Sequence, residues 1–269
     1  MVKEVRTSIA QQVTVWCLSV CFHSLLTYGY HITLDIFKWS LNLLLVTFPS
    51  KIIAMSDEIF TDRHVRLTAH DVAQLEKQNS RLVDGFKAEM LERNAQKNWD
   101  LFYKRNETRF FKDRHWTTRE FAELIGHTDE RRTLLEIGCG VGNLVYPLVE
   151  EGMNFYFYAC DFSPRAVTLF KEHPSYDPDR MCAFQTDVTK EELTDHIKAN
   201  SVDVVTLVFV LSAIHPEKFE TVLRNVKNVL KPGGIVLLRD YGLNDMAQIR
   251  FKPGHKIAEN LYMRQDGTR

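Results

Sequence analysis

The sequence predicts an α/β protein with a mostly parallel sheet and helices on both faces. Three observations carry this. Leu134-Leu135-Glu136-Ile137-Gly138-Cys139-Gly140-Val141-Gly142-Asn143 is an apolar strand that breaks into a triple-glycine turn and enters the apolar helix Leu144 to Val149. Two further apolar runs, ending at Asp161 and Asp187, repeat the pattern of a strand tipped by an acid. Val202 to Leu211 is apolar almost throughout, as expected of a central parallel strand buried on both faces. Strands alternating with helical stretches argue for a parallel sheet.

Each element has its own signal. In the glycine turn the missing Cβ atoms let the backbone approach a ligand or take a positive φ. A tight turn without ligand remains open on the glycines alone. Phe155 to Asp161 is the second strand, its acid 23 residues past Gly138, where nucleotide-binding folds place a carboxylate for ribose hydroxyls. Ser163-Pro164-Arg165 then starts a helix, with Ser163 as N-cap and Pro164 in its first turn. Cys182 to Asp187 is the third strand. After Val202 to Leu211, a helix is expected from Glu217 to Leu230. Lys231-Pro232-Gly233-Gly234 ends it and leads into the strand Ile235 to Arg239.

The E-x-G-x-G-x-G spacing differs from the G-x-G-x-x-G fingerprint, which counts against an NAD-linked dehydrogenase. It resembles the first motif of class I (Rossmann-like) S-adenosylmethionine-dependent methyltransferases. That resemblance implies a turn, Glu136 to Asn143, holding the amino-acid end of the cofactor, with Glu136, Gly138 and Gly140 at the site. It also implies that Asp187 accepts a bond from the adenine amino group.

The chain has 269 residues, a formal net charge of -1 and a pI near 6.8, so global charge predicts no polyanion partner. Its five cysteines show no C-x-x-C pairs and no His/Cys ligand spacing, which fits reduced, mostly buried thiols in an intracellular protein without a structural zinc; the expected location is cytoplasmic, with the nucleus also open, and no metal is expected.

Three regions are expected. Residues 1–54 form an atypical apolar leader, with Thr7 to Leu34 free of Asp, Glu, Lys and Arg. We expect a non-native leader ahead of a protein starting at Met55; a membrane or targeting element is the alternative reading, although the apolar match is weak. Residues 55–132 are a helical, basic and aromatic segment. Residues 133–269 are the core, which the resemblance to class I methyltransferases implies is incomplete, its last strands missing: that fold closes its sheet with two more strands, and Tyr241 to Arg269 leaves room for one short helix and a strand-like piece near Asn260 to Arg264. The resulting sheet edge is expected to impair folding or activity.

In the middle region, Phe86 to Tyr103 reads as one helix, and Thr117-x-x-Glu120 as a capping box opening another toward Ile125. From Lys97 to Arg119 there are seven Lys/Arg and three Asp/Glu, interleaved with Trp99, Phe102, Tyr103, Phe110, Phe111 and Trp116. Cations for phosphate and flat rings for bases suit single-stranded RNA. An amphipathic lid with solvated charges would give the same composition. The RNA-contact candidates are Lys104, Arg105, Arg109, Lys112, Arg114 and His115.

Asn98 to Arg105, Phe110 to Trp116, the glycine turn, Ala159 to Ser163, Phe209 to Pro216, Leu230 to Gly233 and Arg239 to Gly242 together resemble the methyltransferase-like enzymes that form 3-methylcytidine in tRNA. The match covers about Met55 to Arg269. It implies S-adenosylmethionine as cofactor and the cytidine that opens the anticodon loop, conventionally position 32, as target. The resemblance is greatest to the branch acting on serine tRNAs, which implies seryl-tRNA synthetase as a partner. It further implies that Trp99 and Tyr103 close over the cofactor, that Gly138 lines its methionine end, that Asp161 binds ribose, and that the Val208 backbone faces it. The family continues past Arg269.

Cytosine N3 carries an in-plane lone pair at neutral pH, so methyl transfer to it needs alignment rather than a strong base. Positive charge moves toward the base during transfer, and a nearby carboxylate would favour the transition state. Asp240, at the tip of the fifth strand, is the catalytic candidate; a strand-end acid capping a turn is the plainer alternative. His215 is expected to be structural. Rival functions are a methyltransferase for a protein or small molecule, and a non-catalytic cofactor- or partner-binding protein.

Overall fold

A computed structural model of the chain describes residues 52–54, 67–125 and 130–269. Its centre is a six-stranded, wholly parallel sheet formed by β1 (Ile52–Ala54), β2 (Arg132–Ile137), β3 (Phe155–Asp161), β4 (Met181–Gln185), β5 (Val202–Val208) and β6 (Leu230–Arg239). The strand order is β1-β6-β5-β2-β3-β4. The chain therefore runs outward from β2 to β4, then returns to the other side of β2 for β5 and β6. Ligands of such sheets bind where the order reverses, beyond the carboxyl ends of the strands. Here that is the crevice above β2 and β5.

The strands form on the apolar runs, except that β6 starts at Leu230, five residues ahead of the expected Ile235, and β4 ends at Gln185, two residues before Asp187. β5 is buried at every position but Asp203, whose carboxylate accepts from the Thr133 amide at 2.8 Å and from Lys231 Nζ at 2.7 Å. That acid locks the feet of three strands together. β5 stops at Val208, three residues short of the apolar run, because Phe209 takes a φ of 59°. The register of β5 against β6 shifts between Val202 and Val204, opposite the Lys231 to Gly234 stretch. Proline cannot donate to a ladder, so a shift there is expected.

Three core helices pack on the sheet. They are α5 (Val145–Glu150), α6 (Pro164–Lys171) and α7 (Phe219–Val229), numbered after four helices described below. Ser163 Oγ caps α6 by accepting from the Ala166 amide at 3.2 Å. Burial of Val222, Leu223, Val226 and Val229 gives α7 one apolar face at helical spacing. Pro216–Lys218 is a separate 3₁₀ turn, so α7 starts two residues later than expected.

The preceding region holds α1 (Ala69–Gln78), α2 (Gly85–Arg93), α3 (Ala95–Asn106) and α4 (Thr117–Glu120). The single helix expected from Phe86 to Tyr103 is two helices, broken at Asn94 with φ -98° and ψ 10°. Asparagine is a poor interior helix residue and favours such junctions. The capping box expected at Thr117 is also corrected. Trp116 is the N-cap, Thr117 Oγ1 donates to the Arg114 carbonyl at 2.9 Å, and Glu120 instead receives Arg239 at 2.9 Å. A half-buried guanidinium outcompetes a local cap.

After β6 come α8 (Met246–Arg250) and the antiparallel pair β7 (Lys256–Ala258) and β8 (Leu261–Tyr262). They cover the first helices instead of extending the sheet. Gln78, 1% exposed, donates to the carbonyls of Gln248 and Phe251 at 2.8 and 3.1 Å, and Val83 packs with Leu91 and Met263. Among the described residues no strand after β6 joins the large sheet. The β6 edge that the sequence leaves open pairs with Ile52–Ala54, the last residues of the expected leader. The rest of that leader lies outside the described residues. No described helix is long and apolar enough to cross a membrane.

Candidate active site

The crevice above β2 and β5 is a real cleft, with about 1190 Å³ of space including the part open to solvent. Its sheet-side wall begins where β2 gives way to the glycine turn. Gly138 and Gly140 have φ of 67° and 54°, a region side chains rarely occupy. A Cβ on Gly138 would stand 2.7 Å from Val210 Cγ2, and one on Gly140 would stand 2.7 Å from Tyr103 Oη. The turn is thus shaped as a cradle that only bare backbone can form.

Asp161 stands beside it at the end of β3. Its Oδ2 accepts from the Gly140 amide and its Oδ1 from the Ser163 amide, both at 2.9 Å. Burial pushes its carboxyl up to about 6, and those backbone donors oppose the rise. A carboxylate has about four acceptor sites. Two are used by amides, and the residue still lines the cleft, so it suits a pair of hydroxyls.

Asp187 follows β4 and lines the same cleft. Burial raises its carboxyl, but bonds from Thr189 Oγ1 at 2.6 Å and Lys190 Nζ at 2.9 Å outweigh this and hold it below the usual range. Val208, at the tip of β5, also lines the cleft.

The opposite wall is α3. Trp99 and Tyr103 line the cleft from it, their ring centroids 6.1 Å apart. Tyr103 is 5% exposed, and burial followed by the nearby Asp161 raises its phenol far above its ordinary value. Polar hooks hold α3 to the sheet. Asp100 Oδ1 accepts from Ser163 Oγ at 2.9 Å and from the Arg165 amide at 3.0 Å, while Gln96 donates to the Phe162 carbonyl at 2.7 Å. Sequence reasoning missed Gln96 and Asp100; the only available signal was polarity on the face that carries Trp99 and Tyr103.

Glu136 is a different case. It is 1% exposed, lies behind the turn and is not among the cleft-lining residues. Its Oε1 pairs with Arg114 Nη1 at 3.5 Å, and its Oε2 has no hydrogen-bond partner. Burial pushes its carboxyl up to about 8, Arg114 opposing and Asp161 adding to the rise.

The RNA-contact candidates divide. Lys104, Arg105, Arg109 and Lys112 are exposed, and His115 pairs with Glu151 at 3.5 Å on the surface. Arg114 instead reaches inward. Its guanidinium lies between Glu136 and the Phe209 ring, 5.7 Å from the ring centroid, and lines the cleft. The Arg114 amide donates to the Asn143 carbonyl at 2.7 Å, and Asn143 Nδ2 donates to Asp113 at 3.0 Å. Those two bonds fasten the basic segment to the glycine turn.

Asp240 is at a strand tip as expected, but the structure does not bring it into the cleft. Its Oδ2 accepts from the Ser212 amide at 3.0 Å and its Oδ1 from the Tyr241 amide at 2.9 Å. His215 lines the cleft and caps the 3₁₀ turn after it. Among the described residues no group of three or more His, Cys, Asp or Glu could hold a metal ion.

Residues 135–236 match a family model described as "Methyltransferase domain". The chain is 61% identical over 196 residues to the tRNA N(3)-cytidine methyltransferase METTL6 of Mus musculus, covering 72% of this chain and 70% of the relative. It is 57% identical over 206 residues to the Homo sapiens protein of the same name, covering 76% and 72%. It is 47% identical over 193 residues to the tRNA N(3)-methylcytidine methyltransferase trm141 of Schizosaccharomyces pombe, covering 70% and 77%.

Proposed function

The chain belongs to the family of tRNA N(3)-cytidine methyltransferases, and we propose from that premise that its cleft methylates N3 of a cytidine in tRNA. The observation that carries the reading is the cradle at Gly138 and Gly140 set against Asp161. The cradle fits S-adenosylmethionine: bare backbone for the amino-acid end and a buried carboxylate for the ribose. When bound, the cofactor supplies an electrophilic methyl group on a sulfonium.

The protein's own residues have four tasks. Gly138 and Gly140 admit the amino-acid end, and Asp161 holds the hydroxyls. Asp187, tied down by Thr189 and Lys190, sets the far edge of the adenosine site. Trp99 and Tyr103 cover that site and keep water out. No general base is required, because N3 carries no proton to remove, and alignment supplies the rate enhancement. Exposed Lys104, Arg105, Arg109 and Lys112 meet the RNA backbone.

The target we propose is the cytidine opening the anticodon loop, position 32, of serine tRNAs, with seryl-tRNA synthetase as partner and the cytoplasm as location. A loop base is cheap to unstack, which favours such a target. The test is incubation with labelled cofactor and total tRNA, then nucleoside analysis. Labelled 3-methylcytidine is expected, and its absence overturns the reading. Repeating the assay on purified serine tRNA, with and without the synthetase, tests the finer assignment.

A further inference from the structure

We propose that Phe209 and Tyr241 form an aromatic wall on which the target pyrimidine stacks as it enters the cleft; this rests on the reading of the site as a cytidine methyltransferase. Phe209 follows β5 directly, and its φ of 59° is a true outlier for a bulky residue. Such strain persists only where surrounding structure enforces it, and it concentrates at functional sites. Here the enforcement is visible: the Phe209 amide donates to the Arg239 carbonyl on the neighbouring strand at 2.7 Å.

The half-buried Phe209 ring lines the cleft, and Arg114 lies 5.7 Å from its centroid. The Tyr241 ring meets it at 5.0 Å and 45°, yet Tyr241 is 59% exposed. The two rings therefore make one surface running from the cleft to solvent. Phe110, another exposed ring, does not line the cleft, so it offers no comparable path. Asp240 explains how the wall is held. Its two oxygens clamp the loop after β5 to the start of the loop after β6, and those loops carry the two rings. Asp240 is thus a positioning residue. A flat base without charge is the ligand such a wall fits, because stacking uses the π-face that every base has.

The test uses the full chain with Tyr241→Ala, Tyr241→Phe and Phe209→Leu, and tRNA or its anticodon stem–loop carrying pyrrolocytosine at the target position. Tyr241→Ala and Phe209→Leu are expected to lower kcat/KM for tRNA by about tenfold to hundredfold, the range of one base–aromatic stack. Cofactor affinity by calorimetry should stay unchanged, and Tyr241→Phe should restore activity. Binding should quench pyrrolocytosine fluorescence in the wild type and not in Tyr241→Ala. Values of kcat/KM within twofold of wild type for both variants, or quenching that survives Tyr241→Ala, would overturn the wall. If the wild type makes no 3-methylcytidine, the methylation reading fails, and the quenching comparison still decides whether a pyrimidine meets these rings. Because Tyr241 is exposed, its variants test the wall even if Phe209→Leu does not fold.

Discussion

On the sheet side of the cleft, Ile137 and Cys160 are shielded almost completely and held by strand ladders on both flanks, with Cys139 and Asp161 buried beside them. On the other side, α3 and the segment 109–116 hold on through a handful of polar bonds: Asp100 to Ser163, Gln96 to Phe162, Asp113 to Asn143 and Arg114 to Glu136. The first wall is over-determined, so damage there should register in folding. The second is tethered, so damage there should register mainly in binding. Local stability differs across a protein in this way, and elements that meet ligands come from the less stable end.

The largest test is Gly140→Ala. A Cβ there meets the Tyr103 hydroxyl at a backbone angle that favours glycine. We expect a stability loss of roughly 2–4 kcal/mol in denaturant titrations, together with loss of cofactor binding. An unchanged midpoint would break the claim that this wall is over-determined.

The next test concerns pH. The carboxyl of Glu136 is raised from 4.5 to about 8, so the folded protein keeps its proton longer than the unfolded chain. That contribution to stability is complete below pH 4.5 and is lost as pH rises toward about 8. Glu136→Gln should flatten the fall, measured as denaturation free energy at several pH values. An identical slope in the variant would show that burial of this acid is not what drives it.

On the tethered wall, Tyr103→Ala should weaken cofactor affinity about tenfold by calorimetry, a loss of one cleft-lining contact surface. Asp100→Ala removes two bonds across 63 and 65 residues of sequence. We expect about 1 kcal/mol less protection for α3 amides in hydrogen exchange, with the sheet amides unmoved. Equal losses in both would erase the contrast between the walls. Smallest of all, Lys112→Ala should weaken tRNA binding a few-fold and reduce the salt-dependence slope by about one. A slope that does not change would remove Lys112 from the RNA face.

What was legible in the sequence follows the same division. The glycine turn, the acid-tipped strands and the Ser163 cap are encoded within a few consecutive residues, so local patterns revealed them. Asp240 was legible as a strand-tip acid, but not its two backbone partners, since Ser212 lies 28 residues away. The capping box at Thr117 failed for the same reason, because Glu120 serves a guanidinium 119 residues distant. Arg114 looked like one more surface cation until Glu136 and Phe209 drew it inward. Phe209 gave no warning, because backbone strain is imposed by neighbours rather than by residue type.

Tyr103, Lys104 and Arg105 are consecutive on one rigid helix, the ring turned inward and the two cations outward. Donor and nucleic acid would thus pull on the same lever. Thermodynamic reciprocity requires that the factor by which the loaded donor changes RNA affinity equal the factor by which bound RNA changes donor affinity, and a shared lever predicts that both tighten. Dissociation constants for each, taken with the other present and absent, should close that square with a factor above one.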